Sequence, residues 1–229
     1  MKNKLKFSIC SLCLFGTFIL LSNLYAFGQE NNQTVTDIDG NIYNTVIIGF
    51  QTWLKEDLKV TKYNNGQIIQ NITDITGWQN HNPGGAYCWY NNDVGNKSTY
   101  GALYNWYAVY TGNLCPKGWH VPTDAEWTIL TTYLGKKVAG GKLKEGGTSY
   151  WTQPNEGADN SSGFTALPGG YRNIDGTFSS IGYFGIWWSS TEYGTYGAWY
   201  RAMHFDSSSA LRHLDYKTYG FSVRCLRDN

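Results

Sequence analysis

The pattern of apolar and polar positions is most regular just after Cys115-Pro-Lys-Gly-Trp-His-Val-Pro-Thr-Asp-Ala-Glu-Trp127. Trp127, Leu130 and Leu134 share one face at three- and four-residue spacing, and Gly135 stops the run. This predicts a helix beginning at Thr123. Thr123 and Glu126 stand at capping-box positions, where the Thr123 hydroxyl accepts from the Glu126 amide and the Glu126 carboxylate reaches back. Tyr100 to Tyr110 places Leu103, Trp106, Tyr107 and Tyr110 at similar spacing and predicts another helix. Ile42 to Ile48 is β-branched, follows an Asp39-Gly40 turn signal and reads as part of a hairpin. Trp53 to Leu58 reads as a compact turn or short helix. Later strands are expected at Ile186–Thr191, Trp199–Phe205, Leu211–Lys217 and Phe221–Leu226. In the last of these, Phe221, Val223 and Cys225 share the face expected to be buried.

Between these elements lie two long stretches without a sustained period. Residues 63–99 are rich in Asn, Gly and Asp and predict irregular chain with short strands. Residues 140–185 read as mostly loop, too long for an ordinary connection and therefore functional or held by internal contacts. At the N-terminus, Lys2, Lys4 and Lys6 precede a mostly apolar run from Ile9 to Leu24, and Ala26-Phe-Gly28 offers a small-x-small cleavage site. The run is short and broken by Ser11, Thr17 and Ser22, which argues against a membrane anchor. The expected organisation is a signal peptide over 1–28, a flexible 29–34 and one domain over 35–229.

Charge adds little to this picture. Eighteen basic against 17 acidic residues give no electrostatic case for nucleic acid or anionic lipid. Composition adds more: ten Trp, 18 Tyr and 27 Gly with only 15% charged residues favour short strands and aromatic-lined loops. Beyond the leader stand Cys88, Cys115 and Cys225, and export would place them where disulfides form. Three pairings are open. Cys115–Cys225 is the expected one because both lie in tightly specified local sequence, which leaves Cys88 as a small buried residue.

The blocks GALYNWYAV, CPKGWHVPTDAEW, AGGKLKE, SGFTALPGGYR, GIWWSSTE and GFSVRCLRD follow one another in this order. Together they resemble the Fibrobacter succinogenes major paralogous domain of secreted and surface proteins in Bacteroidetes and Fibrobacteres, over roughly residues 35–228. That domain is distantly similar to the C-type-lectin-like fold in the variant used by formylglycine-generating enzyme. The resemblance implies an α+β domain with a small twisted antiparallel sheet, two flanking helices, long Gly/Asn-rich loops and neighbouring termini. It does not carry over the oxidase chemistry, because residues 116–224 contain no cysteine. No Gly-x-Ser-x-Gly, His-Glu-x-x-His or Walker-type loop is present, and His81, His120, His204 and His213 lack ligand spacing. No enzymatic activity is expected, and an enzyme on a scaffold similar to formylglycine-generating enzyme stands as the third reading after the two binding roles that follow.

Residues 183–219 carry the strongest functional signal. They interleave six Tyr, three Trp and two Phe with Ser, Gly, Arg and His, a mixture of rigid anchors and adaptable polar groups. The candidate surface is Trp188, Glu192, Tyr193, Tyr196, Trp199, Tyr200, Arg201, His204, Arg212 and His213. It would bind a protein or a glycan at or beyond the cell surface. If Tyr200 and Arg201 are exposed contacts, their replacement by alanine leaves the melting temperature nearly unchanged. The rival site is Gln153-Pro-Asn155, which is similar to a lectin sugar loop. There Asn155, Glu156, Asp159 and Asn160 would supply oxygens to calcium.

Overall fold

The computed structural model describes residues 33–81 and 83–228. The expected leader and residues 29–32 lie outside the described residues. The described region begins with β1 (Thr34–Thr36), β2 (Ile42–Ile48) and β3 (Gln51–Leu54). It continues through β4 (Gln70–Asn71), α1 (Ile75–Asn80), β5 (Ala86–Cys88), α2 (Lys97–Tyr100), β6 (Leu103–Tyr104) and α3 (Trp106–Tyr110). Next come β7 (Trp119–His120), α4 (Asp124–Leu134), α5 (Ala139–Leu143), β8 (Gly169–Arg172) and β9 (Phe178–Ile181). The last elements are β10 (Phe184–Tyr193), β11 (Gly197–His204), β12 (Ala210–Tyr216) and β13 (Leu226–Arg227).

The architecture is α+β, mostly sheet with short helices. An antiparallel sheet runs β1-β2-β3-β13-β7, so the late strand β13 sits between β3 and β7. A second antiparallel sheet runs β10-β11-β12. The small β4-β5-β6 sheet contains a parallel β4–β5 pair, and β8-β9 is a hairpin. Cys115 and Cys225 form the expected disulfide across a Cα–Cα distance of 6.0 Å, joining the approach to β7 with the approach to β13. Cys88 is free and buried, and burial pushes its thiol pKa up to about 12.

Buried aromatics fill the space between the sheets. Tyr43, Leu54, Trp106, Trp188, Phe221 and Val223 belong to one apolar cluster, and Trp53, Trp127, Leu130, Phe164, Trp187 and Met203 to another. An indole N–H taken from water needs an acceptor. Trp106 donates to the Ser189 carbonyl at 2.9 Å, Trp188 to the Tyr104 carbonyl at 2.8 Å and Trp187 to Asp57 Oδ1 at 2.8 Å. Buried cations tie the loops to this core. Lys144 donates to the carbonyls of Glu156, His204 and Ser207, and Arg224 pairs with Asp57 while reaching the carbonyls of Lys55 and Phe164.

The helix α4 follows the sequence closely. Thr123 Oγ1 accepts from the Glu126 amide at 3.2 Å, and Glu126 Oε2 accepts from the Thr123 N–H at 2.8 Å. His120 joins this cap, with its ring nitrogens 3.0 Å from Glu126 Oε1 and 2.6 Å from Asp228 Oδ1.

Other expectations change. The predicted helix over Tyr100–Tyr110 is interrupted: Tyr100 ends α2, and the chain is helical again only from Trp106. Gly101, at φ +68, packs against the backbone of Asp57 and Leu58, and Ala102 and Tyr104 donate to Leu58 and Phe221. Backbone pairing thus keeps 101–105 extended until Asn105 caps α3 by accepting from the Ala108 amide. Trp53 and Leu54 belong to β3 rather than to a turn or helix, because Val46 and Thr45 pair with them. Thr34, placed in the flexible segment, pairs with Asn44. The region 63–99 contains α1, whose first turn is capped by Asp74, and the region 140–185 contains α5, β8 and β9. Phe221, Val223 and Cys225 are buried as expected, but Ser222 and Arg224 between them are buried too. That segment is enclosed on both sides, and regular pairing is confined to Leu226–Arg227.

Candidate functional site

Period two divides the β10-β11-β12 sheet into two faces with different fates. Trp188 pairs with Tyr200 and Tyr200 with His213, while Ala198 pairs with Asp215. These residues, together with Phe184, Ile186, Ala202 and His204, share one face. Trp199, Arg201 and Arg212 point from the other.

The second face is structural. Arg201 is 2% exposed, and its Nη1 donates to Asp124 Oδ1 at 2.6 Å. Its Nη2 donates to the Asp124 carbonyl and to Thr128 Oγ1 at 3.0 and 2.9 Å. Arg212 completes the arrangement from solvent. It donates to both Asp124 oxygens and lies over the Trp199 ring, 3.4 Å from its centroid. Burial pushes the Asp124 carboxyl up, but the hydrogen bonds and charges of Arg212 and Arg201 outweigh it and hold the carboxyl below its usual value. The expectation that Arg201 is exposed is therefore corrected: a cation on an inward strand face survives because the first residue of α4 neutralises it. Trp188 is likewise fully buried against Phe221, with centroids 4.3 Å apart, and presents no surface. Glu192, Tyr193 and Tyr196 lie exposed at the β10–β11 turn, where Glu192 pairs with Lys217 and Tyr193 packs edge-on against half-buried Trp199.

The first face lines a pocket of about 220 Å³. Phe184 and Ile186 of β10, Tyr200, Ala202 and His204 of β11, and His213 and Asp215 of β12 form one side. Tyr171 of β8 and the loop residues Tyr219 and Phe221 form the other. Of the residues expected at the surface, Tyr200, His204 and His213 come together here. Tyr171, Phe184, Asp215, Tyr219 and Phe221 were missed. Asp215 could have been found, since it stands two residues after His213 on the same strand face. Tyr171 could not, because it arrives from the stretch read as loop.

The polar groups of this pocket are little used by the protein. Asp215 accepts one hydrogen bond, from the adjacent Tyr216 amide at 2.8 Å. Burial pushes its carboxyl up, against smaller downward effects of that hydrogen bond and of His213. Burial likewise pushes the Tyr200 hydroxyl up to about 12 and raises that of Tyr219, and it lowers the His204 imidazole. The pocket therefore combines aromatic walls, phenol hydroxyls, an imidazole whose burial favours its neutral form and a half-buried carboxyl group.

The calcium candidates are distributed differently. Asn155 is buried, and its Nδ2 donates to the carbonyls of Glu145 and Gly147. Asn160 exchanges two hydrogen bonds with Thr165, and Asp159 Oδ1 accepts from the Ser161 amide. Glu156 is exposed, and its backbone carbonyl holds Lys144. Among the described residues no group of three His, Cys, Asp or Glu side chains is placed to share a metal ion.

Comparison with known proteins gives one finding. The family model of the Fibrobacter succinogenes major domain matches residues 46–227. No curated protein and no solved structure matches the chain.

Proposed function

We propose, for a chain that belongs to the Fibrobacter succinogenes major domain family, a non-catalytic binding role centred on the aromatic pocket between β10–β12 and Tyr171. The observation that carries this reading is the pocket's chemistry. Several rings and a half-buried carboxylate converge on one cavity, and the fold makes almost no use of their polar atoms. Nothing in it resembles a nucleophile paired with a base, so recognition is the better use of such a site. The ligand is a protein or a glycan group met outside the cytoplasm. Support for export comes from the Cys115–Cys225 disulfide and the sequence pattern of 1–28. No helix among the described residues is long and apolar enough to cross a membrane. The C-type-lectin-like architecture belongs to the same proposal. It is supported by a sheet in which β1 and β13 both take part, by α4 packed against β10 and β11 and by a separate late sheet.

The test is a glycan and peptide array probed with residues 29–229, wild type against Tyr171→Ala. Binding that the variant loses while keeping its melting temperature supports the reading. Binding that ignores Tyr171 refutes it.

A second reading, a calcium-dependent carbohydrate site near 153–160, has one observation behind it. Asn155 Oδ1 and Glu145 Oε2 are buried acceptor atoms without a hydrogen-bond partner among the described residues. A melting temperature that falls on adding chelator favours this reading, and an unchanged one counts against it.

A further inference from the structure

We infer that the ligand group seated in the Tyr171–Tyr200–Tyr219 pocket is an alkylammonium cation, held over the aromatic rings and paired with Asp215. This rests on the binding role proposed above and names its chemistry.

The arrangement of the rings is the first argument. A sugar stacks on a flat, open ring face, but these rings enclose a corner. Tyr171 stands at 78° to Phe221 and 54° to Tyr219, with centroids 6.2 and 6.1 Å apart. Tyr200 stands at 57° to Phe221 at 4.9 Å, while Tyr219 and Phe221 lie nearly parallel. All four rings line the same pocket at differing tilts. A ring face carries negative quadrupole density, so a cation in the pocket is attracted by each face it meets. The volume of about 220 Å³ admits a head group rather than an extended chain.

Charge is the second argument. Asp215 is half-buried, and no Lys or Arg lines the pocket. A carboxylate shielded from water without a cation costs free energy that a ligand cation would return. By contrast, the buried cations Arg172, Arg201, Arg224 and Lys144 all have their partners within the fold. Within the pocket lining, Asp215 is the one carboxylate, and it has no such partner.

The groups facing Asp215 set the pH dependence. They are His213 on the same strand, His204 and Tyr200 on β11, Tyr171 on β8 and Tyr219 in the following loop. Asp206 and Lys144 act on His204 from a distance, and Asp175 acts on Tyr219. Acid neutralises Asp215, whose carboxyl burial holds above its usual value, and that change opposes a cation. Affinity therefore falls as the carboxyl takes up its proton.

The experiment is a two-dimensional NMR titration of residues 29–229 with choline and with its neutral isostere 3,3-dimethylbutan-1-ol. Choline is expected to bind about 30-fold more tightly, corresponding to roughly 2 kcal/mol for a desolvated cation on aromatic rings. Shift changes should centre on Tyr200, His213 and Asp215. Asp215→Asn keeps the acceptor for the Tyr216 amide, so the fold is retained. It should weaken choline at least about tenfold and leave the alcohol unchanged. Tyr171→Leu, as a second variant, should weaken choline as well. Equal affinity for both probes, or no effect of Asp215→Asn, overturns the cation assignment and leaves the pocket as a binding site of another kind. Glycan binding that Tyr171→Leu abolishes, with no response to choline, also overturns it while upholding the broader role. No pocket response to cation, alcohol, glycan or peptide overturns both.

Discussion

Replacing Arg201 by alanine tests the reading of the β10–β12 sheet most directly. The side chain joins β11 to the first turn of α4 through Asp124 and Thr128 and is 2% exposed. Breaking a buried ion pair by removing one partner costs about 3–5 kcal/mol. Here the abandoned Asp124 keeps Arg212, so the lower end applies, about 3 kcal/mol. For a domain of this size each kcal/mol lowers the melting temperature by roughly 2–4 °C, which gives a drop of about 6–12 °C. Arg212→Ala is the control. That side chain is 46% exposed, and its pair should contribute no more than about 1 kcal/mol. Urea denaturation followed by circular dichroism, with the m-value checked for constancy, measures both. The effect has a pH signature. Asp124 has a folded pKa below its unfolded value of about 3.9. Its contribution is therefore present above about pH 4 and is lost as the pH falls through the folded pKa. The gap between wild type and Arg201→Ala should narrow in that acid range. A melting temperature within about 2 °C of wild type at neutral pH would refute the ion-pair account and restore Arg201 as a surface residue.

Substitutions at the cysteines and at two glycines test the disulfide and the loops. Cys115→Ala with Cys225→Ala opens a loop of 110 residues, and chain entropy assigns that closure between about 4 and 5 kcal/mol; denaturant titration should show a loss of 2 kcal/mol or more. Peptide mapping without reductant should recover Cys115 joined to Cys225, with Cys88 alkylated only after unfolding. Gly141→Ala would place a Cβ 2.2 Å from the Gly157 carbonyl oxygen, a backbone atom that cannot swing away. It should cost about 1–3 kcal/mol, whereas Gly146→Ala, whose nearest neighbour would be 3.9 Å away, should stay within about 0.5 kcal/mol.

What was legible in the sequence was what local chemistry decides. The capping box depends on residues three apart, so Thr123 and Glu126 were readable without the rest of the molecule. The strands of the late sheet were readable too, but their faces were not. Alternation separates Tyr200 and His213 from Arg201 and Arg212, yet it cannot say that both faces are covered. Arg201 and Asp124 are 77 residues apart, and only the folded chain makes the cation a buried one. The pocket was half-legible for the same reason. Tyr200, His204 and His213 lie on one sheet, whereas Tyr171 and Phe221 reach them through Arg172↔Gly220 and Trp187↔Ser222 bridges. The expected 100–110 helix failed because the backbone of 101–105 found partners on Leu58 and Phe221, a competition no local periodicity reveals.

The place of β13 bears on how this chain is made. Its residues 226–227 fill the gap between β3 and β7, so strands emerging near residue 53 wait for partners about 170 positions later. The first sheet cannot close on the ribosome until nearly all of the domain has been synthesised. Until then the edges of β3 and β7 stay open to wrong partners. A nascent chain of this design leaves its first sheet incomplete through synthesis. The same late segment brings Cys225 to Cys115, so closure of the sheet and formation of the disulfide depend on the last residues to be made.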